Sequence, residues 1–471
     1  MCIIIGQVCE LHIKENQTLK LELDRSEFLK AWQTAEKYTA AKTTMDSLGG
    51  IRITAGEDNT VTLEATDLKS SVKCSALGAN VIEPGVAVLN AVMFGNIFRK
   101  TSAKTLTLET SQERGALSTG KSRSRFAVIP ADTFPKIPES SGAESICSIM
   151  ESDLGRVILE GSSAASAPSD FPKYMGTCLL RTAGQYILAV STDGKRLARS
   201  QTLCTVHKEE DLLMPAAALR ELAKLFNNDS KVEVLADGST VWFRIEREES
   251  VKDNADSSGT EGEEVPVKTV KEISEFSIRR IEAAFPKYEK ILNNEVKTLV
   301  KLSKSSLLPA VDRMAVYAKN SPAQVMAMYI KTEGELRVTA RAPEMGTTEE
   351  TLDAAVDGDA MSIGFNVNYF MDGLRAVNSE EVIIEFSDDE GQTRLLRDDS
   401  DDFLYMLMPI RLTAQDFVSE DASVDFITPM EYDEPDSYDE PEDDESYSSE
   451  DYSEEQEEQH NDEQENSDAP F

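Results

Sequence analysis

Apolar residues recur at helical spacing in five separate segments of the chain. In the first segment, Phe28, Trp32 and Ala35 share one face, and Asp24 or Ser26 is available as an N-cap. The five predicted helices span residues 26–38, 90–100, 215–226, 305–319 and 366–377. Between them lie short alternating runs, such as residues 61–64 and 381–385, that are typical of half-buried strands. Each third of the body is therefore predicted as an α+β unit of several antiparallel strands and two helices.

Short motifs return along the chain in the same order. Residues 124–136 recur loosely as residues 275–287, because both runs hold a strand-like Phe-x-Val or Phe-x-Ile followed by a turn and Phe-Pro-Lys. A second motif, a β-rich run that ends in a polar turn, occurs at residues 63–68, 188–194 and 336–343. Repeated matches in one order predict tandem copies of a single unit.

The charge of the chain is concentrated at its C-terminal end. The 471 residues include 86 acidic and 48 basic residues, for a formal net charge of −38. Residues 413–471 hold 24 of the acids and no Lys or Arg, which leaves 62 acids against 48 bases in residues 1–412. We predict a mildly acidic body of about three domains and a disordered acidic tail. Any contact with DNA must come from a local basic patch.

Two further segments stand apart from the predicted body. Residues 246–270 are polar and charged, so we expect a solvated loop at the tip of a hairpin. Residues 1–18 begin with a short apolar run but have no positively charged region or small-residue cleavage site, so we do not interpret them as a signal peptide. No stretch of 18 apolar residues occurs, and no membrane span is expected.

Few residues suit catalysis or metal binding. The six cysteines are scattered without a CxxC pair, and three histidines occur in the whole sequence. A disulfide framework and a zinc site are not expected, and reduced buried thiols in a cytosolic protein are the preferred interpretation. The sequence has no Walker-type glycine loop and no nucleophile–base signature. We predict no catalytic residue, no metal and no cofactor.

Five motifs lie in order along the body. They are Ser-Arg-Phe…Phe-Pro within residues 120–135, Thr-Asp-Gly-Lys-Arg-Leu within residues 191–198, Phe-Pro-Lys-Tyr within residues 285–292, Ile-Gly-Phe-Asn within residues 362–369 and a largely apolar run at residues 403–412. In the same order they resemble the first-domain segment, the Thr-Asp-Gly turn, the Phe-Pro-x-Tyr motif, the Ile-Gly-Phe-Asn motif and the C-terminal strand of the bacterial sliding clamps, the β subunits of DNA polymerase III. The resemblance covers about residues 19–412, which is essentially the whole body.

The resemblance implies three tandem copies of the DNA-clamp fold in a ring-forming, non-catalytic protein of the cytoplasm. Two chains would close head to tail around duplex DNA and tether the replicative polymerase. Polymerase and clamp-loader subunits are the expected partners, bound through short peptide motifs, and no membrane partner is expected. The expected organisation is an N-terminal extension at 1–18, clamp domains at 19–142, 143–296 (with the polar insert at about 246–270) and 297–412, and the acidic tail at 413–471.

The resemblance also implies an apolar cleft for partner peptides between the second and third domains. Methionine and leucine side chains give a soft surface that adapts to several peptides, and Lys195, Arg196 or Arg411 would hold polar groups of the peptide. The pattern of the C-terminal run alone favours a buried strand. Lys195 and Lys290 stand where the family often has His and Arg, and a lysine offers no bidentate fork. The implied cleft residues are Tyr174, Thr192, Gly194, Lys195, Arg196, Leu197, Pro286, Lys290, Ile291, Met406, Leu407, Met408, Pro409, Ile410, Arg411 and Leu412.

A sliding ring requires weak contacts to phosphates rather than base readout. The expected DNA-facing residues are Lys37, Lys42, Arg99, Lys100, Lys173, Arg220 and Lys224, with Lys30, Arg313 and Arg375 as further candidates. For any one of them, a solvated helix charge is the favoured interpretation. For the dimer contact, the resemblance implies Phe126 on a first-domain edge strand and Val316 and Tyr317 on a third-domain helix. Ordinary core packing is the alternative for these three.

Two other functions stay open on the sequence alone. A clamp-like scaffold would bind partner peptides without encircling DNA, with its acidic tail acting as a regulatory DNA mimic. A hydrolase would need a pocket with converging titratable groups. A closed dimer, and basic residues concentrated on one surface, would distinguish a clamp from the scaffold.

Overall fold

A computed structural model of the chain describes residues 18–40, 42–167, 172–226, 228–252, 267–292, 295–342, 345–387, 391–397 and 402–412. The chain divides into two compact units, Met1–Glu420 and Asp421–Phe471, and every described residue belongs to the first. The predicted N-terminal extension up to residue 17, the tip of the polar insert at 253–266 and the acidic tail lie outside the described residues.

One order of eleven elements, βαβββββαβββ, occurs three times among the described residues. The first repeat comprises β1 (Leu19–Asp24), α1 (Arg25–Glu36), β2 (Gly50–Ala55), β3 (Val61–Thr66), β4 (Ser70–Ser75), β5 (Ala79–Glu83), β6 (Gly85–Asn90), α2 (Ala91–Lys100), β7 (Thr105–Thr110), β8 (Arg114–Thr119) and β9 (Ser122–Ala127). The second comprises β10 (Glu144–Met150), α3 (Glu151–Gly161), β11 (Thr177–Ala183), β12 (Tyr186–Thr192), β13 (Arg196–Leu203), β14 (Thr205–Val206), β15 (Glu210–Pro215), α4 (Ala216–Ala223), β16 (Lys231–Ala236), β17 (Thr240–Lys252) and β18 (Val267–Arg279). The third comprises β19 (Thr298–Ser303), α5 (Lys304–Ala318), β20 (Val325–Lys331), β21 (Glu335–Ala342), β22 (Gly346–Asp353), β23 (Ala355–Gly358), β24 (Met361–Asn366), α6 (Val367–Ala376), β25 (Glu381–Phe386), β26 (Thr393–Arg397) and β27 (Phe403–Leu407). The predicted tandem α+β units are confirmed.

Short polar side chains begin three of the helices. The Asp24 carboxylate accepts hydrogen bonds from the N–H groups of Ser26 and Glu27 at the start of α1. Asn90 and Asn366 cap α2 and α6 in the same way. These bonds satisfy N–H groups that lack a partner within the helix. The five helices predicted from apolar spacing are all present, and their ends differ from the prediction by at most three residues.

The helix α3 is absent from the sequence-based prediction. It has no side-chain N-cap and holds glycines at positions 155 and 161, each of which lowers helix stability by about 1 kcal/mol relative to alanine. Tertiary packing explains both glycines. A Cβ at Gly161 would lie 2.4 Å from the main-chain oxygen of Ala189, and one at Gly155 would lie 3.3 Å from Cβ of Phe226. Close packing of α3 therefore outweighs its weak intrinsic propensity.

Sheets run from one repeat into the next. Strand β4 pairs antiparallel with β18, and β13 pairs antiparallel with β27. The resulting nine-stranded sheets have the orders β14-β10-β16-β17-β18-β4-β3-β2-β6 and β15-β11-β12-β13-β27-β26-β25-β19-β23. Two smaller sheets, β5-β1-β7-β8-β9 and β22-β21-β20-β24, complete the fold. In them β9 and β22 are edge strands, although their counterparts in the other repeats are paired across a repeat boundary.

The core lies between the helices and the sheets. In the first repeat, the rings of Phe28 and Trp32 meet Phe98 edge to face, with centroids 5.6 and 5.2 Å apart. One apolar core extends through the first and second repeats, and another fills the third. No helix among the described residues is long and apolar enough to cross a membrane.

The hairpin predicted around the polar insert is present, but its strands are longer than expected. Strands β17 and β18 stay paired as far as Lys252 and Val267. Residues 246–252 and 267–270 are therefore strand rather than the predicted loop, because ladder hydrogen bonds satisfy the backbone without apolar burial. Elsewhere in the described ranges, no group of three His, Cys, Asp or Glu side chains could hold a metal ion.

Candidate functional sites

The turn between β12 and β13 is built from Thr192, Asp193 and Gly194. The Thr192 hydroxyl donates to the main-chain oxygen of Arg196 (2.7 Å) and accepts from the N–H of Gly194 (3.1 Å). The Asp193 carboxylate accepts from the N–H groups of Lys195 and Arg196, both at 3.0 Å. Gly194 has a φ of +84°, which costs glycine less than any residue with a side chain. The Thr-Asp-Gly motif thus fixes the start of β13.

An apolar cluster lies beside this turn. Leu197 of β13 lies opposite Met406 of β27. The buried members of the cluster are Val190, Leu197, Tyr288 and Met406. Phe285 packs at its margin, with its ring edge-on to Tyr174 and Tyr288 at centroid distances of 6.2 and 6.1 Å. Aromatic rings and a thioether side by side form an adaptable apolar floor. This surface is called the apolar cleft below.

The chain that follows β27 forms the rim of the apolar cleft. The Met408 N–H donates to the main-chain oxygen of Lys195 (2.9 Å), and the Ile410 N–H donates to that of Gly364 (2.8 Å). Pro409, which has no N–H, falls between these two bonds, where pairing with β13 ends. The run is a buried strand up to Leu407, as its pattern favours, and becomes a partly exposed rim from Met408 onward.

Most of the predicted cleft residues come to this surface, but Leu407 and Arg196 do not. Leu407 belongs to the core of the third repeat, and Arg196 lies opposite it in the ladder, because neighbouring residues of a strand face opposite sides. Pro286, Lys290 and Ile291 lie on the segment that carries the cleft's aromatic rings, and Arg411 and Leu412 continue the rim. Lys290, Ile291 and Arg411 are exposed.

Arg196 joins the second and third repeats. Its guanidinium donates to Asp193 (2.9 Å), to Asp372 of α6 (2.7 Å) and to the Tyr405 hydroxyl (3.2 Å), and it lies 4.3 Å from the ring centroid of Tyr369. Burial alone would lower the pKa of Arg196, but Tyr405, Asp372 and Asp193 raise it above its ordinary value. Nε and one terminal nitrogen of Arg196 are thus engaged within the protein, and its expected contact with a partner peptide stays a prediction.

A second buried ion cluster reinforces the same boundary. The Glu160 carboxylate accepts from the Ser200 hydroxyl (2.6 Å), from Arg397 (2.6 Å) and from Arg156 (3.2 Å). Asp402 also contacts both arginines at 3.2 Å. Glu160 is on α3 and Arg397 is on β26, so the cluster links the two repeats beneath the β13–β27 junction. Sequence analysis missed this cluster because no spacing connects residues so far apart in the chain.

The predicted DNA-facing cations lie on the helices and adjoining turns. Three of them, one from each repeat, occupy equivalent positions. Each lies nine residues after the N-cap of the second helix of its repeat: Arg99, Lys224 and Arg375. Arg99 makes two hydrogen bonds to Glu36 (2.8 and 3.2 Å), and Lys224 contacts Glu221 at 2.6 Å. Lys37, Lys42, Lys100 and Lys173 are exposed, and Arg220 is partly buried.

A second set of equivalent residues follows the first helix of each repeat. Tyr38, Ala164 and Tyr317 each lie fourteen residues after the N-cap of the first helix of a repeat. Tyr38 is buried against Phe276 of the second repeat, with ring centroids 5.6 Å apart, and Ala164 is buried in the core of the third. Tyr317 belongs to the last repeat among the described residues and is partly exposed.

The other two predicted dimer residues differ in their surroundings. Phe126 on the edge strand β9 is half-buried, and its ring lies edge-on to Phe94 at 4.6 Å. It therefore packs partly within its own repeat. Val316 on α5 is 63% exposed, so ordinary core packing does not account for it.

Comparisons with known proteins agree with this geometry. Residues 19–138 match the family model described as the DNA polymerase III beta subunit, N-terminal domain, and residues 289–411 match the model for its C-terminal domain. Together the two models cover 243 of the 471 residues. The beta sliding clamp of Vibrio cholerae is 25% identical over 396 residues, which are 84% of this chain and 100% of that protein. The Escherichia coli beta sliding clamp is 24% identical over 397 residues, with the same coverage.

Solved structures share the fold. The DNA polymerase sliding clamp of Bacillus subtilis has a TM-score of 0.72 at 20% identity and covers 84% of this chain and 100% of its own. A Pseudomonas aeruginosa sliding clamp, solved bound to griselimycin, has a TM-score of 0.71 at 23% identity with the same coverage. At these identities the likeness shows the fold.

Proposed function

We infer that this chain, which belongs to the DNA polymerase III β subunit family, is a sliding clamp of DNA replication. Like its relatives, it is a non-catalytic processivity factor. The observation that carries this function is the family match at both ends of a body in which one set of eleven elements occurs three times. Each proposed domain, 19–142, 143–296 and 297–412, contains one such set. The proposed site of action is the cytoplasm.

The free edge strands support a head-to-tail dimer. Within the chain, the last strand of the second and third repeats pairs with the fourth strand of the repeat before it, as β18–β4 and β27–β13. The counterparts without such a partner are β9, the last strand of the first repeat, and β22, the fourth strand of the third. Pairing β22 with β9 of a second copy repeats the boundary already used twice. Two such contacts close a ring in which neither β9 nor β22 is a free edge.

The internal repeats also specify the register of that pairing. At the existing boundaries Phe276 lies opposite Val72, and Tyr405 lies opposite Ala198. The helix N-caps give the repeats a common reference point, and the paired residues of neighbouring strands carry the count from there to the edge strand. By this count Ser124 corresponds to Phe276 and Tyr405, and Thr348 corresponds to Val72 and Ala198. Ser124 should therefore lie opposite Thr348 of the second copy, which sets Arg123 opposite Glu349.

Charge complementarity agrees with this register. In this register Arg123 of β9 faces Glu349 of β22, whereas Arg125 faces Thr347 and Glu350 is already bonded to Arg313 of its own chain. Opposite charges facing each other on neighbouring strands contribute about 0.2–1 kcal/mol per pair. Tyr317 would then pack against β9 of the second copy as Tyr38 packs against β18.

A charge swap tests the dimer contact. In the proposed register, Arg123→Glu puts two acids opposite each other and should reduce the mass in solution from about twice 52.0 kDa to 52.0 kDa. Glu349→Arg in the same chain should restore the dimer, and Arg279→Glu, on a strand already paired within the chain, is the matched control. Light scattering measures each mass. A dimer unaffected by Arg123→Glu, or a double variant that stays monomeric, contradicts this register.

The recurring cations support contact with DNA. One basic residue per repeat, at an equivalent position near the end of the second helix, gives the ring a positive charge that recurs with each repeat. An acidic body repels DNA elsewhere, so a basic lining makes the hole the favourable location. Contacts with phosphates alone leave the ring free to slide.

The apolar cleft supports binding of short peptides from polymerase and clamp-loader subunits. Its floor is formed by Leu197, Met406 and Tyr288, and its exposed rim by Met408 and Ile291. A buried apolar floor with an exposed, flexible rim is suited to anchoring one or two apolar side chains of a linear peptide.

A further inference from the structure

Two cysteines of the second repeat come together at the edge of a nine-stranded sheet. The edge strand β14 pairs with β10, and Cys147 lies opposite Val206. Cys204 is two residues before Val206, so it lies diagonal to Cys147 across the ladder and on the same face. Cys147 belongs to the apolar core of the first two repeats, and Cys204 packs against that core. Strand pairing therefore makes neighbours of two thiols that are far apart in the sequence.

The two thiols differ in their access to solvent. Cys147 is 0% exposed, whereas Cys204 is half-buried. Cys204 lines a surface cavity of about 360 Å³, together with Asp153, Gln185 and Lys231. A cavity of this size exceeds the share of one water molecule, about 30 Å³, roughly tenfold. A small oxidant therefore has room to reach Cys204, while Cys147 offers it no surface.

The contact between the two thiols also separates their acidities. The Cys147 thiol lowers the pKa of Cys204 by hydrogen bonding to it, although burial opposes this effect. The same interaction, together with burial, raises the pKa of Cys147. Cys204 is therefore the better nucleophile of the pair, because the thiolate is the reactive form. An accessible cysteine of lowered pKa beside a second thiol is the usual arrangement of a redox sensor.

We propose that Cys204 and Cys147 form a peroxide-sensitive dithiol that closes reversibly to a disulfide. The Cys204 thiolate attacks one oxygen of hydrogen peroxide, the O–O bond breaks, and the departing hydroxide takes up a proton and leaves as water. Cys204 is then a sulfenic acid. The Cys147 sulfur next attacks the Cys204 sulfur, the S–O bond breaks, and the Cys147 proton leaves with the hydroxide as a second water. Two thiols and one peroxide thus give one disulfide and two waters, and a dithiol reductant reverses the change by thiol–disulfide exchange.

The end of a short edge strand can supply the movement that this closure needs. Diagonal neighbours of a regular ladder lie about 7–8 Å apart, and a disulfide brings its Cα atoms to about 4.4–6.8 Å. Strand β14 comprises only Thr205 and Val206, and Cys204 lies just before it. The Cys204 N–H donates to the main-chain oxygen of Gln185 (2.9 Å) rather than to β10. A shift of Cys204 towards Cys147 therefore breaks no hydrogen bond of the β10–β14 ladder.

Peptide mapping of the full-length protein tests the proposal. After brief exposure to hydrogen peroxide and blocking of the remaining thiols, trypsin should release a disulfide-linked pair of peptides, residues 137–156 and residues 200–208. Treatment with dithiothreitol before digestion should restore the two separate peptides. Cys74 and Cys178 are the internal controls and should remain reduced, because both are buried and burial raises the pKa of each to about 12.

Two serine variants separate the roles of the thiols. Cys147→Ser keeps a hydrogen-bond donor beside Cys204 but removes the second sulfur, so dimedone should capture a sulfenic acid on Cys204. Cys204→Ser should leave Cys147 reduced, because the buried thiol is not accessible to peroxide. This second variant changes a half-buried side chain and gives its result even if the core does not tolerate a change at Cys147.

Three results would overturn the proposal. They are oxidation of Cys74 or Cys178 as fast as that of Cys204, a disulfide from Cys204 to any cysteine other than Cys147, and further oxidation of Cys204 in the wild-type protein without a cross-link. The inference goes beyond the proposed clamp function and does not depend on it. Since every result is read from peptides, its failure leaves retention on circular DNA untouched.

Discussion

Replacing Glu160 by alanine should weaken the junction between the second and third repeats. The carboxylate is 5% exposed and is bonded to Ser200 and Arg397 at 2.6 Å and to Arg156 at 3.2 Å. Removing one partner of a buried ion pair costs about 3–5 kcal/mol, because the other charge stays buried and uncompensated. Arg397, itself 7% exposed, keeps one contact with Asp402 at 3.2 Å. We therefore expect the lower end of that range, about 3 kcal/mol.

Hydrogen exchange locates this loss. Amides of β13 and β27 are protected by the ladder that joins the two repeats, and their opening free energy should fall by that amount in Glu160→Ala. The combined change Glu160→Met and Arg397→Met removes both charges and fills the space with apolar groups, which is often near neutral. It should lie within about 1.5 kcal/mol of the wild type.

A surface carboxylate provides the control. Glu144→Ala removes an exposed partner of Lys208 and should change stability far less than Glu160→Ala, because water screens an exposed ion pair. A Glu160→Ala cost as small as that of Glu144→Ala would refute the reasoning. So would a double variant that is less stable than Glu160→Ala, since the loss would then not arise from an uncompensated buried charge.

Three other changes have definite expected outcomes. Leu68 has a φ of +73° at the turn position where the second repeat has Gly194, and a left-handed conformation costs a leucine about 1–2 kcal/mol. Leu68→Gly should therefore raise the unfolding temperature and Gly194→Leu should lower it. An unchanged unfolding temperature in both variants would contradict backbone strain at this turn. Met408→Ser alters an exposed rim residue and should weaken binding of the cognate polymerase subunit roughly tenfold without changing the mass of the clamp, as measured by surface plasmon resonance and light scattering. Burial raises the pKa values of Cys74 and Cys178 from 9.0 to about 12. These thiols therefore ionise at lower pH in the unfolded chain than in the folded one, and the free energy of unfolding should fall between pH 9 and pH 12. In urea unfolding, that fall should be smaller when both cysteines are replaced by alanine, and an equal fall would argue against buried thiols.

Local signals account for the parts of the fold that could be predicted. The helices α1, α2 and α6 have a polar cap followed by apolar residues at helical spacing, and both features act within one turn. The turn at Thr192, Asp193 and Gly194 is equally local, because its hydrogen bonds join residues at most four apart. Helix α3 has apolar residues at helical spacing, Leu154, Val157 and Ile158, but no polar side-chain cap. Its two glycines depend on packing, such as the fit of Gly161 against β12, which no short window of sequence contains.

The candidate sites were predicted less completely, for the same reason. Alternation along β13 and β27 indicates that neighbouring residues face opposite sides, but the pattern does not say which face meets which partner. The family resemblance places Arg196 in the peptide cleft, whereas in the structure it bonds to Asp372 of α6, 176 positions away. The Glu160 cluster depends on side-chain contacts between residues far apart in the chain, and the edge positions of β9 and β22 appear only in the sheet order.

Retention on circular DNA tests the central claim most directly. The full-length protein is loaded with its cognate loader and ATP onto a nicked circle, and release is compared before and after the circle is cut once. A clamp should stay on the closed circle and leave rapidly through the free ends of the cut DNA. Equal release from both forms would contradict encirclement and favour a scaffold that binds partner peptides without enclosing DNA.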